Sequence, residues 1–143
     1  MREALFSIVG QDLAGQRILD AFGGAGLIGL EAWSRGATVT VVERDRRTLE
    51  AIRRRGEDLG AAWTVRGGDV LRLAESLDRF DGVFADPPYA DDPRRVLDVL
   101  APIASDWLVL ETAAATVCPA AAGALTLDRS REYGSTKLWV YRR

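Results

Sequence analysis

The sequence has no histidine and a single cysteine, Cys118, among its 143 residues. These absences exclude zinc sites built from cysteine and histidine, an internal disulfide, and any catalytic triad that depends on histidine. No apolar run approaches the ~20 residues of a membrane-spanning helix, and the amino terminus lacks a signal-peptide core. We therefore expect a cytoplasmic enzyme in which Cys118 is a small buried hydrophobic residue.

An excess of charge is also missing, because 19 basic and 21 acidic residues leave a net charge of −2. Nucleic-acid-binding proteins owe much of their affinity to Lys and Arg, so this balance gives no general support for such a partner. Positive charge is concentrated at Arg44, Arg46, Arg47, Arg53, Arg54 and Arg55. Glu50 and Glu57 lie three or four residues from several of them, which favours a solvated, salt-bridged helix face over an RNA groove.

Short apolar runs alternate with helical patterns, and the length fits one domain. We predict strands at 17–22, 37–43, 63–66, 80–85 and 106–111, and helices at 27–35, 46–59, 70–77 and 93–100. The first strands are apolar throughout, as in parallel strands covered by helices on both faces. Residues 137–141 alternate and predict a late antiparallel strand, whereas 113–124 show no clear pattern. The predicted fold is α/β with a mostly parallel sheet.

A glycine-rich loop lies between the first predicted strand and the first predicted helix. Gly24, Gly26 and Gly29 satisfy the pattern G-x-G-x-x-G, in which glycine lets the backbone turn tightly and approach a ligand at a helix start. Glu43 ends the second predicted strand, where a carboxylate can accept from both hydroxyls of a ribose. These features predict a nucleoside-containing cofactor; the alternative is a plain turn with a strand-end charge.

Asp20 bears on the identity of this cofactor, because its carboxylate comes just before the glycines. It would repel a pyrophosphate but attract the ammonium group of S-adenosylmethionine. Asp69 can accept from an adenine N6 amine while the Val70 N–H reaches ring N1, and Asp69 can also be a plain helix N-cap, which is compatible. Tyr133 and Lys137 have the Tyr-x-x-x-Lys spacing of short-chain dehydrogenases, but their segment has the pattern of a turn entering a strand, so we treat this match as a coincidence.

The tetrapeptide Asp86-Pro87-Pro88-Tyr89 follows the fourth predicted strand. Both prolines lack an N–H and fix φ near about −65°, so we expect a stiff backbone with outward-pointing, unpaired carbonyls. A planar ligand with an exocyclic NH2 group could donate to Asp86 and to a proline carbonyl while its ring stacks on Tyr89. Adenine, cytosine, guanine and a glutamine amide all qualify. The alternative is a Pro-Pro turn with Tyr89 as ordinary packing.

The chain resembles class I S-adenosylmethionine-dependent methyltransferases, and specifically the bacterial RsmD-type family that methylates guanine N2 in 16S ribosomal RNA. The resemblance runs nearly from end to end. It is carried by Met1-Arg2-Glu3-Ala4-Leu5-Phe6-Ser7-Ile8, Asp20-Ala21-Phe22-Gly23-Gly24-Ala25-Gly26, Gly29-Leu30-Glu31-Ala32, Ser34-Arg35-Gly36-Ala37, Val42-Glu43-Arg44-Asp45, Asp86-Pro87-Pro88-Tyr89 and Tyr133-Gly134-Ser135-Thr136. Gly23 and Ala25 replace the family's Ala and Ser. The basic extension that precedes the first of these elements in the family is not present in this sequence.

The resemblance implies a three-layer, Rossmann-like class I methyltransferase fold in one domain, residues 1–143, without the basic extension. It implies methyl transfer from S-adenosylmethionine, with S-adenosylhomocysteine as product, to guanine N2 in 16S ribosomal RNA. The RNA would belong to an assembled or assembling small ribosomal subunit, and the enzyme would be a cytoplasmic monomer with no membrane partner and no metal. The candidate catalytic residues are Asp86, Pro87, Pro88 and Tyr89. The candidate cofactor-binding residues are Asp20, Phe22, Gly24, Gly26, Glu43, Arg44, Asp69, Val70 and Asp86.

Two alternatives stay open beside this function. The first is an amino-methyltransferase that acts on DNA bases or on a protein glutamine, because the tetrapeptide or a sister form of it occurs in such enzymes. The second is a cofactor-binding domain that has lost its activity on RNA.

Overall fold

The structure is a computed structural model that describes residues 2–24 and 26–143. Its helices are α1 (Arg2–Val9), α2 (Leu27–Ser34), α3 (Arg46–Leu59), α4 (Val70–Leu73) and α5 (Pro93–Leu100), with 3-10 turns at Ala74–Ser76 and Ala101–Ile103. Its strands are β1 (Arg17–Asp20), β2 (Thr38–Glu43), β3 (Thr64–Gly67), β4 (Phe80–Ala85), β5 (Ala104–Ala113), β6 (Ala121–Ala122), β7 (Leu125–Tyr133) and β8 (Thr136–Arg142). These strands form one sheet in the order β3-β2-β1-β4-β5-β8-β7-β6.

Strands β1 to β5 are parallel, and helices cover both faces of this part of the sheet. Because side chains alternate along a strand, neighbouring residues enter opposite layers. Ile18 packs in one core with Ile52 of α3, whereas Leu19 packs in a second core with Val70 of α4 and Leu97 of α5. The predicted three-layer α/β fold is confirmed.

The late antiparallel strand is confirmed as β8, which pairs with β5. Two strands in the same region carry no clear signal in the sequence. β7 pairs with β8 but exposes most of its side chains, so its backbone hydrogen bonds, and not an apolar face, hold it in the sheet. β6 pairs two residues with β7 inside the stretch that showed no pattern.

Three predicted elements differ from the structure by more than one residue at an end. β1 ends at Asp20 and not at residue 22, because the chain turns there into the glycine loop. β5 spans Ala104–Ala113 and extends beyond both predicted ends. Its start pairs with Phe80 of β4, and its end continues to pair with β8 past the apolar run. The helix predicted at 70–77 is a single turn of α4 followed by a 3-10 turn.

The cores contain two further features that bear on the predictions. Cys118 is buried at 8% exposure, as expected for a small hydrophobic residue. Gly56 lies in the interior of α3, where the Trp63 indole lies so close to the backbone that a Cβ atom would overlap it.

In the part of the chain that the structure describes, no helix has the length and apolar character needed to cross a membrane.

Candidate active site

A cleft of about 520 Å³ lies at the carboxyl ends of the parallel strands. Ligands of open α/β sheets bind at this edge, and small-molecule sites have volumes of about 300–1,000 Å³. The candidate residues on the wall of the cleft are Phe22, Gly24, Glu43, Arg44, Asp69, Val70, Asp86, Pro87, Pro88 and Tyr89. Asp20 and Gly26 are the two candidates that are not on the wall.

Glu43 at the end of β2 fixes the glycine loop. Its Oε1 accepts from the Gly24 N–H at 3.0 Å, and its Oε2 accepts from the Asp45 N–H at 2.9 Å. Gly24 has a φ of +56°, a conformation that glycine adopts without strain. A carboxylate offers about four lone-pair sites, so Glu43 keeps two for ligand hydroxyls after these two bonds.

Gly26 serves packing behind the loop. It precedes α2 with a φ of +76°, and a Cβ atom there would approach Ile52 to 3.3 Å and Trp63 to 3.5 Å. The second glycine of the pattern therefore lets α2 start close to α3, and the structure does not bring it to the cleft.

Asp20 is buried at the end of β1 with 2% exposure, and neither carboxylate oxygen has a hydrogen-bond partner among the residues that the structure describes. Burial raises the pKa of Asp20 to about 8; the Gly29 amide opposes this, while the Asp86 and Glu43 carboxylates add to it. The Gly29 amide lies near the carboxylate but makes no hydrogen bond of normal geometry. Because an unpaired buried carboxylate is unfavourable, this position would be stabilised by a cation beside it.

Asp69 and Val70 form the wall of the cleft after β3. Asp69 is the N-cap of α4, and its Oδ1 accepts from the Leu71 N–H at 3.0 Å, so the N-cap role is confirmed. Its Oδ2 lies 3.9 Å from Arg72 Nε. The contact of Asp69 and Val70 with an adenine stays a prediction that their place on the wall permits.

The prolines of the tetrapeptide differ in one expected property. The Pro88 carbonyl accepts from the Asp91 N–H at 3.0 Å, so the expectation of an unpaired carbonyl is wrong there, because the chain turns back before α5. The Pro87 carbonyl accepts no hydrogen bond from the residues that the structure describes. Tyr89 is 76% exposed, so the alternative in which its ring is ordinary packing is wrong.

Asp91, Arg95 and Glu111 also line the cleft and were not among the candidates. Glu111 lies on β5 beside Asp86. Ala85, the last residue of β4, is in register with Leu110, so Asp86 and Glu111 follow this pair as neighbours. Burial, and after it the hydrogen bond and charge of Asp86, raise the pKa of Glu111 to about 7. The sequence held a signal, since Glu111 ends the predicted strand next to the one that Asp86 follows.

The charge of the wall is strongly one-sided. Five carboxyl groups line the cleft against two guanidinium groups. The acidic residues are Glu43, Asp69, Asp86, Asp91 and Glu111, and the basic residues are Arg44 and Arg95. Such a wall attracts a cationic ligand and repels a pyrophosphate.

Comparison with known proteins gives a family and curated relatives. The model of the family described as "Conserved hypothetical protein 95" matches residues 1–142. The "Putative rRNA methyltransferase YlbH" of Bacillus subtilis is 28% identical over an alignment of 155 positions, which covers 100% of this chain and 84% of that protein. The "Ribosomal RNA small subunit methyltransferase D" of Escherichia coli K12 is 34% identical over 92 residues, 62% of this chain but only 46% of that protein.

Solved structures share the fold over the whole chain. A conserved hypothetical protein of Streptococcus pyogenes has a TM-score of 0.91 and 30% identity, with 100% of this chain and 95% of that one covered. Magnesium protoporphyrin IX methyltransferase of Synechocystis, solved with bound S-adenosylhomocysteine, has a TM-score of 0.81 at 15% identity, with 99% and 81% covered, and shows the fold alone. The family model covers nearly every residue, so the chain belongs to the conserved hypothetical protein 95 family, the RsmD family.

Proposed function

We propose that the protein transfers the methyl group of S-adenosylmethionine to N2 of a guanine in 16S ribosomal RNA. The observation that carries this proposal is the acidic cleft, in which Asp86, the free Pro87 carbonyl and the exposed Tyr89 ring meet Glu43 and Asp69. The relatives named as ribosomal RNA methyltransferases support RNA as the substrate class.

The residues present fit the cofactor at both of its ends. Glu43 has lone pairs left for the two ribose hydroxyls, and Asp69 and Val70 offer an acceptor and a backbone donor for adenine. Asp20 is an unpaired buried carboxyl group near the loop, where an ammonium group would offset its desolvation. When bound, the cofactor supplies an electrophilic methyl group on a sulfonium. Phe22 and Gly24 line the cleft where the chain enters the glycine loop.

The tetrapeptide would make the methyl-accepting amine more reactive. An exocyclic amine is a poor nucleophile because its lone pair is delocalised into the ring. The Asp86 carboxylate and the Pro87 carbonyl would accept its two N–H groups, favour a pyramidal nitrogen and stabilise the positive charge that develops there. Tyr89 would fix the plane of the ring by stacking, so that the nitrogen faces the methyl group. A target base within a helix must be turned out, at a cost of a few kcal/mol.

The decisive experiment offers the protein labelled S-adenosylmethionine together with naked 16S RNA, small ribosomal subunits, DNA or total protein. We expect label in 16S RNA, as N2-methylguanine after digestion. Asp86→Ala should abolish transfer and leave cofactor affinity, measured by calorimetry, much less changed, because Asp86 holds the acceptor. Asp98→Asn, an exposed position on α5, is the control and should behave as wild type.

The outcomes separate the alternatives. Label in DNA or protein instead of RNA would overturn the proposed substrate, and cofactor binding without any transfer would favour a domain that only binds. Transfer that survives in Asp86→Ala would overturn the proposed site.

A further inference from the structure

Glu111 is a second carboxyl group at the place where the proposed acceptor base would lie. Ala85 of β4 is in register with Leu110 of β5, so Asp86 and Glu111 follow as neighbours on strands about 4.8 Å apart. Both line the cleft, and the nearby Asp86 contributes, after burial, to the raised pKa of the Glu111 carboxyl group. The exposed Tyr89 ring lines the same cleft.

Asp86 and Pro87 alone do not distinguish one purine from another, because they accept from any exocyclic amine. The two purines differ in the atom next to that amine. Guanine carries an N1–H donor beside its N2 amine, whereas adenine carries an N1 acceptor beside its N6 amine. A second acceptor placed beside Asp86 would therefore meet a donor in guanine and a lone pair in adenine.

We propose that Glu111 selects guanine by accepting its N1–H while Asp86 and the Pro87 carbonyl hold its N2 amine. This inference rests on the proposed function and names the group that sets its substrate. Two adjacent donors on one edge of the base meet two adjacent carboxyl groups on neighbouring strands. Two neighbouring carboxyl groups disfavour each other's charged form; guanine would offer a hydrogen-bond donor to each of them.

The test uses 2-aminopurine, which keeps the 2-amino group of guanine but has a lone pair in place of N1–H. RNA is prepared with either base at the guanine mapped by labelled transfer and is assembled as the active substrate requires. We expect wild type to prefer guanine by about 100-fold in kcat/KM, because a site built to pair with N1–H leaves an acceptor unpaired with the analogue. Glu111→Gln offers an amide that donates or accepts, so its preference should fall below about 5-fold.

Two further variants separate charge from shape. Glu111→Asp keeps a carboxylate and should keep the preference for guanine at a lower rate. Glu75→Gln changes an exposed glutamate in the 3-10 turn after α4 and should match wild type. Binding without cofactor gives an independent readout, since the fluorescence of 2-aminopurine rises when the base leaves its stack. Glu111→Gln should bind the 2-aminopurine RNA at least 10-fold more tightly than wild type does.

Each result decides the inference. A wild type that uses both bases equally, a Glu111→Gln that keeps the full preference, or a Glu111→Asp that loses it would overturn the role of Glu111 and leave guanine methylation standing. A wild type that methylates no guanine in RNA would overturn the proposed function and this inference together.

Discussion

The substitution Asp20→Asn should change how the folding stability depends on pH. Asp20 is a buried carboxyl group with no hydrogen-bond partner in the described part of the chain, and burial raises its pKa from 3.8 to about 8. Between these two values the folded chain keeps a proton that the unfolded chain has released. The stability that the protonated group contributes is therefore fully present below pH 3.8 and is lost as the pH rises through about 8.

The size of this effect follows from the shift. One pKa unit corresponds to about 1.4 kcal/mol, so the shift of Asp20 from 3.8 to about 8 corresponds to about 6 kcal/mol of unfolding free energy. This is an upper limit, because any water that enters on ionisation lowers the desolvation penalty. We expect wild type to lose roughly 2–4 kcal/mol of unfolding free energy through Asp20 between pH 5 and pH 8. Asp20→Asn is neutral throughout, so it should lack this slope and be more stable than wild type at pH 8.

Urea unfolding followed by the fluorescence of the four tryptophans measures the slope at pH 5, 6, 7 and 8. Glu111 titrates in both proteins, so the difference between them isolates Asp20. Asp98→Asn, at an exposed position, should keep the slope of wild type. Parallel pH profiles of wild type and Asp20→Asn would refute the reasoning. If Asp20 also accompanies an ammonium group, the same variant should bind S-adenosylmethionine more weakly although it is more stable at pH 8.

Three further changes have defined outcomes. Gly56→Ala should destabilise by about 1–3 kcal/mol, although alanine normally favours a helix, because its methyl group would overlap the Trp63 indole; an unchanged urea midpoint would contradict this packing. Tyr89→Ala should lower kcat/KM for RNA by about 10-fold while Tyr89→Phe keeps most of it, since stacking needs the ring; equal losses in both would argue against stacking. The rate on guanine RNA at saturating cofactor should rise between pH 6 and pH 8, as Glu111 with its pKa of about 7 ionises, and Glu111→Gln should give a flat profile.

The parallel half of the fold could be predicted because each of its strands is a short apolar run between helical patterns. β4 is the clearest case: its buried residues 82–85 give a short apolar signal that ends at the tetrapeptide. β7 had no such signal, because only its first residue is buried and its ladder with β8 depends on backbone groups that all residues share. The end of β1 was also predicted incorrectly. The apolar Phe22 extended the predicted strand to residue 22, although the chain turns into the glycine loop after Asp20.

Some of the site residues could also be placed from the sequence, and others could not. Residues at strand ends, such as Glu43 and Asp86, could be placed at one edge of the sheet because parallel strands share their carboxyl edge. The direction in which a side chain points was harder to predict: Asp20 ends β1 at the same edge of the sheet but is buried and does not line the cleft.

Composition was the least informative guide to the partner, and the cleft explains why. Five of the 21 acidic residues line it, against two of the 19 basic ones, so the rest of the chain is close to neutral. A chain that holds a cation in one place and a polyanion in another needs opposite charges at the two places. Its net charge averages over both, and −2 is therefore compatible with an RNA substrate.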